Sequence, residues 1–126
     1  MTILTSEVFV ALASSQVTVL ADFYQSLTGV EPRVRVASYA EFRMPGLRIA
    51  IFEPKAENAA EFKAEGSGAM SLCLEVGDLD AAIAHITQLG YPPPGEVMQA
   101  SHGKEIYAYD PDGNRLILHQ SAAQDS

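Results

Sequence analysis

The sequence predicts an α+β fold made of two consecutive βαβββ modules. An apolar stripe at helical period follows a short apolar strand twice along the chain, and three short strand candidates follow each stripe. Equivalent positions also recur, because Leu27 and Leu89 are 62 residues apart and Gly46 and Gly113 are 67 apart. The same architecture is therefore predicted twice, with a longer middle part in the second copy.

The first module is predicted over residues 1–54. Residues 6–13 are mostly apolar and predict a buried strand, and Ser14 or Ser15 is suited to cap a helix after it. Gly29 is suited to end that helix, whose apolar stripe consists of Leu20, Phe23, Tyr24 and Leu27. Three strands are then predicted, at 32–37, 39–44 and 47–53.

The second module is predicted over residues 69–120. A strand from Met70 to Val76 precedes Asp78, which is suited to cap a helix that Gly90 ends. The stripe of this helix consists of Leu79, Ala82, Ile83 and Ile86, and the strands after it are predicted at 96–101, 104–109 and 115–120. Residues 55–68 predict a linker with an initial helical turn and a flexible joint at Gly66-Ser67-Gly68, and residues 121–126 predict a frayed tail.

Composition narrows the classes of partner. The 126 residues suffice for one compact domain with a real core. A net charge of −8 argues against a nucleic-acid partner, because phosphate binding needs basic patches. Cys73 is the only cysteine, so no internal disulfide forms. The sequence has no basic, apolar leader and no apolar run near about 18 residues, so we expect a cytoplasmic protein with no membrane partner.

Residues 110–114, Asp-Pro-Asp-Gly-Asn, predict a tight hairpin turn. Asp110 can accept a hydrogen bond from the backbone two residues on, Pro111 presets its own φ, and Gly113 supplies a positive φ. Residues 22–29 read Asp-Phe-Tyr-Gln-Ser-Leu-Thr-Gly, and residues 74–82 read Leu-Glu-Val-Gly-Asp-Leu-Asp-Ala-Ala. Together, these three segments resemble the vicinal oxygen chelate superfamily of glyoxalase I, extradiol dioxygenases and bleomycin-resistance proteins, over residues 6–120.

The resemblance implies two modules side by side, whose curved mixed sheets enclose a cup with the helices outside, and a homodimer. It also implies where a metal would be held, because metal-using members place one ligand on each of four strands. The matching positions here are Phe9, Ala50, Ser71 and Ile117. A protein-bound divalent metal needs imidazole, carboxylate or thiolate groups, which these residues lack. The resemblance therefore implies a member that keeps the cup and has no metal cofactor.

Strand alternation separates an aliphatic face from a mixed face. The aliphatic face suits a core against the helices and consists of Ile49, Ile51, Leu72, Leu74, Leu116 and Leu118. The other face mixes aromatic, polar and charged residues, which suits either solvent or a binding pocket. Given the resemblance, the candidate ligand-binding residues are Phe9, Arg48, Phe52, Ser71, Cys73, Glu75, Tyr107, Arg115, Ile117 and His119.

Several of these candidates have a plainer interpretation. Phe9 and Phe52 either hold a flat ligand between them or fill the core. Arg48 and Glu75 either hold a polar ligand group or form an ion pair with each other. His119 is predicted to face the cup. In the functional interpretation it contacts ligand or acts in general acid–base chemistry, and in the plainer one it is exposed or makes a structural hydrogen bond.

Three further residues have side chains with reactive or ligating potential. His102 is predicted on a loop at the rim of the cup, either in contact with ligand or in solvent. His85 is predicted on the surface of the second helix. Cys73 is interpreted as an inert small residue rather than a nucleophile.

The sequence leads to one main functional hypothesis and two alternatives. The main hypothesis is a metal-free small-molecule-binding protein, similar to bleomycin-resistance-type proteins, which sequesters an aromatic or amphiphilic compound. The first alternative is a lyase, isomerase or dioxygenase relative, which uses relocated ligands such as Glu75, His119 and Glu53, or metal-free acid–base chemistry by Glu75 and His119. The second alternative is a non-catalytic assembly module.

Overall fold

The computed structural model describes residues 2–63 and 68–122, and the chain divides into two compact units, Met1–Lys63 and Ala64–Ser126. Each unit carries a four-stranded mixed sheet and one α-helix, and the first unit also has a 3₁₀ helix. The predicted α+β class with two βαβββ modules is therefore confirmed. None of these three helices combines the length and the apolar character needed to cross a membrane.

The first unit contains β1 (Val10–Ala13), α1 (Val17–Thr28), β2 (Val34–Val36), β3 (Tyr39–Met44) and β4 (Leu47–Phe52), followed by the 3₁₀ helix Ala56–Phe62. Its strands lie in the order β1-β4-β3-β2. Strand β1 runs parallel to β4, whereas β2, β3 and β4 form an antiparallel meander. Helix α1 packs against β3 and β4, so it crosses over between the two parallel strands.

The second unit repeats this topology with β5 (Leu72–Glu75), α2 (Leu79–Gln88), β6 (Met98–Ala100), β7 (Gly103–Tyr109) and β8 (Arg115–Ser121). Its strands lie in the order β5-β8-β7-β6, with β5 parallel to β8 and the other pairs antiparallel. Helix α2 contacts β8. Strand β8 lies between β5 and β7, so its outward side chains have a neighbour on each side.

The core of each unit lies between its helix and one face of its sheet. Buried members of the first core are Leu20, Phe23, Tyr24, Ile49 and Ile51, and those of the second are Leu79, Ile86, Leu116 and Leu118. The predicted aliphatic face is thus confirmed for β4 and β8. Leu72 and Leu74 are only half-buried, because β5 is at the edge of its sheet.

The start of the first module differs from the prediction at two points. Strand β1 begins at Val10, four residues after the predicted start, because its pairing with β4 begins there. The N-cap of α1 is Gln16, and the predicted caps Ser14 and Ser15 are wrong. The N–H of Ser14 donates to the carbonyl of Phe52 at 2.9 Å, which extends the strand pairing to Ser14 and delays the helix.

The other helix ends agree with the prediction. Gly29 has a φ of 74° and its N–H donates to the carbonyl of Gln25, and the carboxylate of Asp78 accepts the N–H of Ala81 at 3.0 Å. The predicted helical turn after residue 55 is the 3₁₀ helix. The proposed joint at 66–68 and the tail at 121–126 lie largely outside the described residues. Ser121, however, belongs to β8.

The turn between β7 and β8 is organised by Asp110, which is only 3% exposed. One carboxylate oxygen accepts the N–H groups of Asp112 and Asn114 at 2.9 Å each, and the other accepts the side-chain amide of Asn114 at 2.8 Å. The N–H of Gly113 donates to the carbonyl of Asp110. The predicted turn is confirmed, and its hydrogen bonds tie the end of β7 to the start of β8.

Gly103 opens β7 after the two-residue connection Ser101-His102 that joins it to β6. Its φ is 150°, and a Cβ placed there would lie 2.2 Å from the carbonyl oxygen of Gln120 on β8. No side chain fits in that space, because real Cβ contacts stay beyond about 3 Å. Glycine therefore permits the close approach of β7 and β8 at this end of the sheet.

We predict that Gly113→Val destabilises the protein by about 1–2 kcal/mol or more. Gly113 has a φ of 84° and open space around its Cα, so the cost comes from backbone strain alone. Urea unfolding followed by circular dichroism measures it. Gly95→Val is the matched control, because Gly95 also has open space and no positive φ. Equal stability of the two variants would contradict the assignment.

Candidate functional site

The open face of the second sheet, opposite its helix, carries three cross-strand rows of side chains. Strand register places Glu75 beside His119, and His119 beside Glu105 on the other side. The next row consists of Cys73, Ile117 and Tyr107. In the third row Arg115 pairs with Tyr109 and donates to the hydroxyl of Ser71, just before β5. These rows bring together seven of the predicted ligand-binding residues, namely Ser71, Cys73, Glu75, Tyr107, Arg115, Ile117 and His119.

The shortest polar contact recorded on this face joins Glu75 and His119. A carboxylate oxygen of Glu75 lies 2.7 Å from Nδ1 of His119, and its other oxygen accepts the N–H and the hydroxyl of Ser121 at 2.8 and 3.0 Å. The hydrogen bond to His119, followed by the one from the Ser121 backbone, lowers the pKa of Glu75 below its usual 4.5. Glu75 is therefore ionised at neutral pH and accepts from His119.

His119 is consequently held in one tautomer. A carboxylate only accepts hydrogen bonds, so Nδ1 carries the proton of this contact, and Nε2 is the nitrogen left for another partner. His119 is 9% exposed, and its Nε2 is buried with no hydrogen-bond partner among the described residues. The predicted structural hydrogen bond of His119 is present, and the alternative that His119 is solvent-exposed is wrong.

Two more groups converge on His119, one of which sequence reasoning missed. The ring of His102 stacks on that of His119, with centroids 5.1 Å apart and an angle of 22° between planes. The carboxylate of Glu105 lies on the neighbouring strand. One ligating atom from each of these three residues lies within 4.8 Å of the others. Glu105 was overlooked, although Tyr107 two residues later was placed on this face and alternation puts Glu105 beside it.

The two remaining rows are less reactive. Burial first, and then the charges of Glu75 and Glu105, raise the pKa of the Cys73 thiol above its usual value of 9.0. This agrees with the interpretation of Cys73 as an inert residue. Arg115 donates to the carbonyl of Gly68 at 2.9 Å and to the hydroxyl of Ser71 at 3.2 Å, so its guanidinium secures the start of β5.

The open face of the first sheet is organised around Arg48, whose side chain is 18% exposed. Arg48 donates to Glu7 at 2.8 Å and to Glu41 at 2.9 Å, and its guanidinium carbon lies 3.7 Å from the ring centroid of Phe9. The hydroxyl of Tyr39 donates to the same oxygen of Glu41. The sequence predicted Glu75 as the partner of Arg48, but antiparallel pairing places Glu41 diagonally across from it.

Phe9 and Phe52 lie apart on this face. Phe9 is 42% exposed, so it does not fill the core. It precedes the Val10–Ile49 pair and is therefore level with Arg48, four residues from Phe52 along β4. Four residues of strand span about 13 Å, which is too far for one flat ligand to stack between both rings. The predicted sandwich is wrong, and the floor between the rings consists of Ala11 and Ala50.

Phe52 instead contacts Phe62 edge to face, with ring centroids 5.4 Å apart. The two rings line an open hollow of about 520 Å³ beside the 3₁₀ helix. Its other lining residues are mostly polar or charged, among them Glu53, Lys55, Glu57 and Glu61. The hollow thus offers an aromatic wall with an acidic rim.

Two sheets of this topology, each with a helix on one face and polar and aromatic groups on the other, define a protein of paired βαβββ modules. Residues 8–118 match the family model of the Glyoxalase/Bleomycin resistance protein/Dioxygenase superfamily. The chain belongs to this superfamily, which confirms the resemblance seen in its sequence. None of the curated proteins is significantly similar to the chain in sequence.

Solved structures show the same fold at low sequence identity. A glyoxalase-related enzyme from Fulvimarina pelagi is 21% identical with a TM-score of 0.73, and the match covers 93% of this chain and 89% of that one. A fosfomycin resistance protein from Listeria monocytogenes is 18% identical (TM-score 0.75, coverage 95% and 96%). Lactoylglutathione lyase from Agrobacterium tumefaciens is 17% identical (TM-score 0.69, coverage 92% and 94%).

The metal of the metal-using members does not fit the four positions that match theirs. Phe9 and Ala50 carry no donor atom, and Ile117 is aliphatic. Ser71 offers only a hydroxyl, which already interacts with Arg115. Neutral and aliphatic groups cannot replace the imidazoles and carboxylates that such an ion requires.

We predict that the contacts of Glu41 with Arg48 and Tyr39 stabilise the protein above pH 4.5, and that this stabilisation is lost at lower pH. The hydrogen bond from Tyr39, and then the contacts with Arg48, lower the pKa of Glu41 below 4.5. The folded protein therefore binds the Glu41 proton less tightly than the unfolded chain, so stability falls as pH drops through the folded pKa. Urea unfolding of wild type and Glu41→Gln between pH 7 and about pH 3 measures this.

The variant should be less stable than wild type at neutral pH, and the difference should shrink as pH falls. Glu57→Gln is the control, because Glu57 lies on the exposed 3₁₀ helix away from the contacts of Glu41. If the stability difference between wild type and Glu41→Gln did not change with pH, the electrostatic role of Glu41 would be contradicted.

Proposed function

We propose that this protein binds a small aromatic or amphiphilic molecule on the open faces of its sheets, in the manner of bleomycin-resistance-type members, without a metal at the four family positions. The observation that carries the proposal is the contrast between the two faces of each sheet. The helix-facing side is aliphatic and mostly buried, whereas the open side carries aromatic rings and charged groups. A small molecule is proposed as the ligand, rather than a nucleic acid or a membrane.

On the first sheet, Phe9 and Arg48 supply one end of the binding surface. The Phe9 ring is 42% exposed and the guanidinium lies over it, so a flat ligand can pack against this pair. Ala11, which is exposed, adds a small side chain beside the pair, whereas Ala50 is buried beneath the open face. Phe52, about four residues along the strand, supplies a second aromatic contact for a longer ligand.

On the second sheet, the binding surface is more polar. Tyr107 is 40% exposed and lies beside Ile117, which gives an apolar contact next to an acidic group. Glu75 and Glu105 supply negative charge on either side of His119. These charges favour a ligand that carries a cationic or hydrogen-bond-donating group next to its flat part.

One observation favours the alternative of an enzyme. The Glu75–His119 contact has the geometry of a carboxylate that orients an imidazole, and it leaves Nε2 as a potential base. If the protein is a lyase or isomerase relative, Glu75→Gln and His119→Gln abolish turnover while ligand binding persists. Glu53, the third relocated ligand considered, is exposed at the hollow beside Phe52. The assembly-module alternative has no comparable support.

We predict that Phe9→Ala weakens binding of a planar cationic or neutral compound by about 1–3 kcal/mol. The measurement is a thermal-shift screen followed by calorimetry, with EDTA present throughout so that no metal contributes. Val19→Ala is the matched control, because Val19 on α1 is 42% exposed, like Phe9. The fold should persist in Phe9→Ala, whereas Phe42→Ala in the buried core should lose about 3–5 kcal/mol of stability.

Two results would count against the proposal. One is a wild type that responds to no planar compound in the screen. The other is a compound whose affinity is the same for wild type, Phe9→Ala and Val19→Ala, because its site would then lie elsewhere.

We also propose that the protein is a homodimer. Each sheet ends in two edge strands, and the segment before β1 exposes large apolar residues, with Ile3 at 89%, Leu4 at 97% and Val8 at 81% exposure. Such surfaces favour association with a second copy. Light scattering after size exclusion should give twice the 13.5 kDa chain mass at tens of micromolar. A monomer at that concentration would contradict the proposal.

A further inference from the structure

We propose that His102, Glu105 and His119 form a binding site for one divalent transition-metal ion of the zinc class, with Glu75 positioning His119. The site belongs wholly to the second module. His119 follows Ile117 by two residues on β8. It is therefore about 7 Å from the position that matches the family's metal ligand. The expectation of a metal-free protein was based on the four family positions, and these three residues are outside them.

Geometry is the first support. One ligating atom each from His102, Glu105 and His119 lies within 4.8 Å of the other two. Zinc binds imidazole nitrogen and carboxylate oxygen at about 2.0–2.2 Å, which separates tetrahedral ligand atoms by about 3.3–3.6 Å. His102 is exposed on a two-residue turn, so its ring can rotate to close the remaining distance. Small side-chain movements alone would therefore complete the coordination.

The buried nitrogen of His119 is the second, independent support. Nδ1 is engaged by Glu75, and Nε2 is buried without a hydrogen-bond partner among the described residues. Buried polar atoms are nearly always paired, so an unpartnered nitrogen in this position indicates a missing contact. The pattern in which a carboxylate accepts from one nitrogen of an imidazole while the other binds a metal is the usual arrangement of metal-binding histidines.

The negative charge around His119 favours a cation as the missing contact, and the turn that carries His102 is held in place beside it. Glu75 and Glu105 flank His119 in register, and no lysine or arginine in residues 2–63 and 68–122 forms an ion pair with either. The carbonyl of His102 accepts the N–H of Ala122 at 2.9 Å, which fixes the turn beside the end of β8. Two imidazoles and one carboxylate leave at least one coordination position open for water or for a ligand donor.

The test is zinc and cobalt binding to the full-length, untagged protein after removal of metal with EDTA. We expect about one Zn²⁺ per chain by calorimetry, a higher melting temperature with Zn²⁺, and visible absorption on Co²⁺ addition. His102→Ala and Glu105→Gln should each weaken Zn²⁺ binding at least about tenfold, and Glu75→Gln by about 10- to 100-fold. His102 is exposed and Glu105 half-buried, so both variants should fold, which circular dichroism checks.

His85→Ala and Glu96→Gln are the controls, because both residues are exposed and lie outside the cluster. They should bind Zn²⁺ like wild type. Absence of Zn²⁺ and Co²⁺ binding would overturn the proposal. Metal binding that persists equally in His102→Ala and Glu105→Gln would overturn it as well, since the ion would lie elsewhere. The small-molecule screen is done with EDTA, so its outcome is independent of this one.

Discussion

The register of β7 against β8 is the constraint on which the second half of this protein depends. It is set by the buried carboxylate of Asp110, which holds a five-residue turn closed through three hydrogen bonds. With Tyr109 opposite Arg115, every later pair follows, including Tyr107 with Ile117 and Glu105 with His119. Since side chains alternate along a strand, a slip of one residue would exchange the aliphatic core for the polar face.

The two modules use this shared topology for different electrostatics. In the first, an arginine is shared by two carboxylates and an aromatic ring, so the charges on the open face are largely paired. In the second, the equivalent central strand carries a histidine between two carboxylates, and negative charge predominates. The two modules therefore share a fold but not the chemistry of their open faces. Residues on the open face of a sheet can differ, whereas those packed against the helix must remain apolar to form the core.

Much of the fold was predictable because its signals are local. The helical stripes, Asp78 and the glycines after each helix mark element types by short-range physics, and the Asp110 turn identifies a hairpin with little ambiguity. The cap of α1 was not predictable in this way, because a strand hydrogen bond between Ser14 and Phe52, distant in sequence, decides where the helix starts. Local preference was overridden there by sheet pairing.

The site was predicted less completely for a similar reason. Alternation correctly assigned Glu75 and His119 to one face, but their contact depends on the parallel register of β5 and β8, which no turn specifies. Glu105 was predictable in principle, since counting back from the hairpin turn pairs it with His119. The stacking of His102 was not, because it depends on how the short β6–β7 connection folds over the end of β8.

The glycine that opens β7 has a consequence for how this protein can change. Because the backbone of β8 occupies the space of a side chain at position 103, any larger residue there would push the two strands apart at the end where His102 and His119 meet. The spacing of the strands and the stacking of His102 on His119 therefore both depend on glycine at position 103. Changes in the chemistry of this face have to come from the neighbouring outward positions, because position 103 itself admits no side chain.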